Sequence, residues 1–171
     1  MSSLPGMRER TILMGGFSKA YAMTGWRVGW LAAPAGILAG ILKVHQYGIM
    51  SAPTTAQDAA LVALVDGEPE VERMRAEYDR RRRLVVDGFN AMGLDTFEPR
   101  GAFYAFPRIT STGLDADTFA QRLLEEEHVA VIPGGAFGPS GAEHVRACYA
   151  TSYERLEEAI VRIGRFVDRL R

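Results

Sequence analysis

Residues 69–92 hold the feature that most limits how this chain can fold. Val71, Met74, Tyr78, Val85 and Phe89 recur there at spacings of three, four or seven, in a segment otherwise rich in Glu, Asp and Arg. That spacing lays one apolar stripe along an α-helix and leaves the rest of its surface to water. Pro69 falls where the first turn of a helix tolerates proline, and Met92-Gly93-Leu94 breaks the pattern at the far end. The chain therefore reads as one piece before a long helix and a compact lobe after it. The run Arg80-Arg81-Arg82-Arg83 within the helix is offset by Glu70, Glu72, Glu77 and Asp79, which makes it an ion-paired exposed face rather than a nucleic-acid contact.

Before the helix the signals alternate between strand and helix. Thr11-Ile12-Leu13-Met14 is a short apolar run that predicts a buried strand, ended by Gly15-Gly16, with Lys19 in the turn that follows. Residues 27–33 predict a second strand beginning at Arg27 and closed by Pro34. Ile37, Leu38, Ile41, Leu42 and Val44 mark a helix over 35–47. Thr54 or Thr55 is placed to cap a further helix running toward Val65, which Asp66-Gly67 stops. After the long helix come an aromatic strand over 101–107 and a helix over 117–128 with Phe119, Leu123 and Leu124 inward. A buried strand over 129–133 and an alternating strand over 144–150 follow. Thr151 and Glu154 form a candidate capping box for a last helix lined by Leu156, Ile160, Ile163, Val167 and Leu170. The expected organisation is an α/β piece over 1–66, a connecting helix over 67–92 and a small α+β domain over 93–171.

Composition narrows the function classes. Hydrophobic residues make up 47% and charged residues 24% of the chain, with a formal net charge of -1. That is the balance of a globular protein, with no basic excess for nucleic acid and no acidic tail for a cationic partner. No signal peptide is evident at Met1. The longest uncharged run, between Arg27 and Lys43, is interrupted by Gly29, Pro34, Gly36 and Gly40 and falls short of the roughly 20 residues a membrane span needs. Cys148 stands alone, which fits a reducing cytoplasm, and reads as a small buried hydrophobe on a strand rather than a nucleophile. His45, His128 and His144 are scattered, so neither a metal-ligand set nor a Ser-His-Asp arrangement is expected.

The chemistry lies in residues 16–30, Gly-Phe-Ser-Lys-Ala-Tyr-Ala-Met-Thr-Gly-Trp-Arg-Val-Gly-Trp. Lys19 stands at a strand-to-turn junction among small and apolar residues. Burial would disfavour its ammonium form, and the neutral amine is what condenses with a carbonyl. Eight residues on, Arg27 offers a planar fork that grips phosphate through two parallel hydrogen bonds. An imine-forming amine and a phosphate fork on adjacent elements suit a phosphorylated aldehyde. Either residue alone would read as an ordinary surface lysine or a strand-end salt bridge; it is the combination that carries the signal.

Ser18-Lys19 followed by Thr24-Gly25-Trp26-Arg27 resembles the cofactor-lysine motif of the class I and II aminotransferases, the fold-type-I pyridoxal-phosphate enzymes. Three further segments are similar. Residues 51–57 resemble the family loop that approaches the neighbouring subunit's cofactor. Residues 99–107 resemble the first small-domain strand. Residues 132–138, with His144-Val145-Arg146-Ala147, resemble the loop and strand that carry the substrate-binding arginine. The resemblance implies the C-terminal part of the large cofactor-binding domain plus the small C-terminal domain of an aspartate- or aromatic-aminotransferase-like enzyme. It implies a Schiff base between Lys19 and pyridoxal 5'-phosphate, with Lys19 also moving the substrate's Cα proton. Arg27 would bind the phosphate with help from Ser18, and Arg146 would clamp the α-carboxylate of an amino acid or 2-oxo acid. Gly16 stands where relatives often carry a hydroxyl, a departure at one phosphate contact. The family's aspartate for the pyridine nitrogen, its ring-stacking aromatic residue, its asparagine and tyrosine near the ring hydroxyl and its glycine-rich phosphate turn match no segment here. The expectation is thus a cytoplasmic, homodimeric aminotransferase present as a C-terminal fragment, inactive alone and prone to aggregate. The alternatives are a non-catalytic remnant serving as an interaction lobe, or a pyridoxal-phosphate lyase on the same scaffold.

Overall fold

A computed structural model describes the whole chain, Met1–Arg171, which divides into two compact units, Met1–Met74 and Arg75–Arg171. In the first, strand β1 (Leu13–Gly16) pairs antiparallel with β2 (Gly29–Ala32), in the register Leu13 to Ala32 and Gly16 to Gly29. A four-residue helix α1 (Phe17–Ala20) follows β1 directly. Helices α2 (Ala35–Gly48) and α3 (Thr54–Asp66) come next. Phe17, Met23, Val28, Ala56 and Ala60 form the small core that holds α3 against the segment between the two strands. The alanines of α3 permit that close approach, because a side chain no larger than a methyl group keeps the helix backbone near its neighbour.

The apolar stripe expected on α2 exists, but nothing in this unit covers it. No residue of α2 is buried, and Leu42, Val44 and Tyr47 are 52%, 75% and 95% exposed. Leu61, Val62, Leu64 and Val65 at the end of α3 are also exposed. β1 was expected to be a buried strand, yet Leu13 and Met14 are exposed, so periodicity located the strand but not its cover. No helix is long and apolar enough to cross a membrane.

The long helix α4 (Glu68–Ala91) carries Pro69 in its first turn, and the boundary between the units falls within it. Its seam buries Val85, Val86 and Phe89. Each of the four successive arginines has an acidic partner: Arg80 and Arg81 reach Glu77, Arg82 reaches Asp79 and Glu98, and Arg83 reaches Asp79. The helix stops at Gly93, whose φ of 74° is the left-handed conformation a helix C-terminus favours in glycine. The Asn90 side chain then donates to the Thr96 carbonyl and accepts from the Thr96 amide, pinning the chain as it leaves.

The second unit packs α4, α5 (Ala116–Glu127) and α6 (Tyr153–Asp168) against an antiparallel sheet. The sheet has the order β3 (Tyr104–Ala105), β5 (Val145–Cys148), β4 (Ile132–Pro133). Its core includes Phe89, Leu94, Phe119, Leu123, Tyr149, Phe166 and Val167, with Phe119 and Phe166 edge to face at 5.2 Å. The strands are shorter than the sequence predicts. Residues 129–131 stay unpaired, Ile132 is exposed, and only a single bridge between Arg108 and His144 extends β3 and β5.

Four local expectations are corrected. Cys148 is exposed, because the alternation of β5 turns Val145 and Ala147 into the core and puts Arg146 and Cys148 on the other face. Leu124 is 51% exposed; it lies off the stripe that buries Phe119, Ala120 and Leu123. The cap of α6 is Ser152, whose hydroxyl accepts from the Arg155 amide, one residue beyond the expected Thr151. α3 has no side-chain cap and starts directly after Pro53.

Candidate functional site

The ladder of β1 and β2 fixes where the two candidate cofactor residues emerge. Gly16 and Gly29 are paired across it, Lys19 lies three residues past Gly16, and Arg27 lies two residues before Gly29. Both residues thus lie just beyond the same end of the ladder. The connection is held by the Phe17 amide donating to the Val28 carbonyl and by the Met23 amide donating to the Phe17 carbonyl. Phe17 is 4% exposed and anchors α1 to the core, while Lys19, two residues on, is exposed and Ser18 is half-buried. The expected desolvation of Lys19 is therefore not supplied by these residues, because the short helix turns only Phe17 inward.

Arg27 also departs from expectation. It lies two residues ahead of β2, with φ 54° and ψ 45°, a left-handed conformation that costs a non-glycine residue about 1 kcal/mol or more. Its guanidinium donates one hydrogen bond, Nη1 to the Thr24 carbonyl at 2.8 Å, and forms no ion pair. Most of the fork is left for an external acceptor.

In the second unit, Arg146 stands on the face of β5 opposite the core. Its side chain makes neither a hydrogen bond nor an ion pair within the protein. Its Cζ lies 4.3 Å from the ring centroid of Tyr104 and 4.3 Å from that of Phe137. Phe137 meets Phe106 edge to face at 6.2 Å, and Phe106 stacks on His144 at 5.1 Å and 11°. His144 Nδ1 is buried without a hydrogen-bond partner. The sequence places Tyr104 and Phe106 on an aromatic strand and Phe137 in the loop before β5, with nothing that joins them to the arginine. The available signal was the period-two alternation of Tyr104 and Phe106, matched by His144 and Arg146 on the neighbouring strand.

The donor set fits a phosphorylated aldehyde: one exposed primary amine, and beside it along the chain a guanidinium with uncommitted N–H groups and a hydroxyl at Ser18. No group of three or more His, Cys, Asp or Glu is placed to hold a metal ion.

Comparison with known proteins points to one family. The family model for aminotransferase class I and II matches residues 3–163. The chain is 52% identical over 165 residues to an aspartate aminotransferase of Pyrococcus abyssi, covering 95% of this chain and 42% of that protein. It is 50% identical to aromatic-amino-acid aminotransferase 2 of Thermococcus litoralis, again over 95% of this chain and 42% of that one. The crystal structure of an aromatic aminotransferase from Pyrococcus horikoshii superposes with a TM-score of 0.93 at 50% identity, over 98% of this chain and 45% of that one. The chain belongs to the class I and II aminotransferase family, whose enzymes use pyridoxal phosphate, and it spans less than half the length of the relatives it matches.

Proposed function

We propose that this chain serves in pyridoxal-phosphate-dependent amino-group transfer between an L-amino acid and a 2-oxo acid. The observation that carries the reading is the emergence of Lys19 and Arg27 from one end of the β1–β2 ladder, within a segment that matches the family's cofactor motif. Lys19 holds the cofactor's aldehyde carbon through its amine and moves the proton at the substrate's Cα. Arg27 binds the phosphate with its free N–H groups, supported by the Ser18 hydroxyl. Arg146 pairs with the substrate's α-carboxylate and orients it. When bound, the cofactor withdraws electrons from the bonds at Cα.

The proposed organisation is a partial cofactor-binding domain over 1–66, a connecting helix over 67–92 and a small domain over 93–171, working in a cytoplasmic homodimer. The 171 residues by themselves are a poor catalyst in this reading, which the uncovered stripe of α2 supports. The test is amino transfer from a panel of amino acids to 2-oxo acids, by the chain alone and by the chain fused behind the N-terminal portion of the Pyrococcus abyssi relative. The fusion is expected to turn over and its Lys19→Ala variant to lose activity. Equal activity of the Lys19→Ala fusion would contradict the reading.

A further inference from the structure

Arg146 is held in an unusual way for a half-buried arginine: its guanidinium lies over two aromatic rings, with no side-chain hydrogen bond or ion pair. A guanidinium is planar and all five of its N–H bonds lie in that plane. The Tyr104 and Phe137 rings, each 4.3 Å from Cζ, attract the cation through their electron-rich faces while making no claim on those N–H bonds. We infer that Tyr104 and Phe137 are positioning residues for Arg146, a pair of jaws that fix its guanidinium plane and present the fork edge-on to a coplanar carboxylate.

Three features support the inference. Tyr104 comes from β3, which pairs with β5, so its position follows the ladder: Tyr104 lies opposite Cys148, on the same face as Arg146. Phe137 comes from a different direction, the turn at 134–137, and is backed by Phe106, itself stacked on His144. The second jaw is therefore buttressed rather than loose. An arginine whose plane is already fixed loses less side-chain freedom when it binds, so the jaws raise affinity by preorganisation rather than by touching the ligand. This inference rests on the reading of Arg146 as the carboxylate-binding group.

The test uses the full chain with 2-oxoglutarate as probe. In a nitrogen-15 spectrum, the Arg146 Nε–H resonance, assigned by its disappearance in Arg146→Gln, should be shifted by both ring currents. The shift should shrink in Phe137→Ala and in Tyr104→Leu and persist in Tyr104→Phe. Affinity for 2-oxoglutarate should fall about tenfold in Phe137→Ala and in Tyr104→Leu, on the scale of a lost cation–π contact. It should stay within twofold in Tyr104→Phe and vanish in Arg146→Gln. If Arg146→Gln abolishes binding while Phe137→Ala and Tyr104→Leu keep wild-type affinity, the positioning role is overturned and the carboxylate reading stands. If Arg146→Gln binds as well as wild type, or no binding is detectable in the wild-type chain, the carboxylate reading itself falls and takes the positioning role with it.

Discussion

Gly134 and Gly141 pack backbone against backbone in the turn that brings Phe137 to Arg146. A Cβ on either glycine would collide with the carbonyl oxygen of the other, and one on Gly134 would also lie 2.6 Å from the His144 carbonyl oxygen and 2.8 Å from the Phe106 ring. The Gly134 amide donates to that His144 carbonyl at 2.8 Å, which ties the turn to the start of β5. Three of these four obstacles are backbone and the fourth is a braced ring, so none can move cheaply.

Gly134→Ala is accordingly expected to destabilise the second unit by about 2–3 kcal/mol, at the upper end of the usual overpacking penalty. It should also weaken the ring-current shift of the Arg146 side chain by displacing Phe137. Chemical denaturation followed by the same nitrogen-15 spectrum checks both effects. Gly135→Ala, where a Cβ meets open space, is the control and should change stability by less than about 0.5 kcal/mol.

The core of the second unit and its surface should respond very differently to truncation. Phe166 is fully buried and packs on Phe119, so Phe166→Ala is expected to cost about 3–5 kcal/mol. Leu124 is 51% exposed on the neighbouring helix, so Leu124→Ala should cost less than about 0.5 kcal/mol. Urea midpoints of the two variants decide the matter, and a large loss in the Leu124 variant would mean that α5 is rotated from its described position.

Stability at low pH should depend on Glu127, which is 7% exposed and paired with Arg165 at 2.9 Å and Arg169 at 2.8 Å. Hydrogen bonds from Arg169 and then Arg165 hold its carboxyl below the ordinary glutamate value of 4.5. A carboxyl whose folded value is lowered binds fewer protons folded than unfolded. Its contribution is therefore complete above 4.5 and is lost as pH falls through the lower folded value. Thermal melts from neutral pH down to about pH 3 should show a shallower acid decline in Glu127→Gln than in wild type. Identical declines would sink this account of the pair.

The uncovered apolar residues of α2 and α3 should show in solution. Leu42→Glu combined with Leu61→Glu replaces two side chains that are 52% and 63% exposed, so neither change opens a cavity. The double variant is expected to melt within a few degrees of wild type, to bind less hydrophobic dye and to elute later on size exclusion if the parent self-associates. Unchanged dye binding would show that these helices are not the sticky surface.

Much of this was legible in the sequence. Helices α2, α4, α5 and α6 announced themselves through apolar spacing and α3 through its Asp66-Gly67 stop signal, and residues 16–30 carried enough of a pattern to single out Lys19 and Arg27. What could not be read was conformation that depends on neighbours. Nothing in the residue type foretells the left-handed backbone of Arg27, or that of His128, which ends α5 without a glycine. The strand at 129–133 looked buried because Val129, Val131 and Ile132 are apolar, but pairing is limited to Ile132 and Pro133. The jaws around Arg146 were invisible for a similar reason. They join a strand partner more than 40 positions away to a turn residue nine positions away, and only the folded ladder brings them together.

Lys19 is proposed as the amine that carries the cofactor, and the sequence makes this simple to check. The chain has just one other lysine, Lys43, besides the N-terminal amine. Equilibrating the chain with pyridoxal phosphate, reducing with borohydride and mapping the adduct by peptide mass spectrometry should place the label on Lys19. The yield should fall when Arg27 is changed to Gln. A label confined to Lys43 or to the N-terminus, with Lys19 unmodified, would contradict the account.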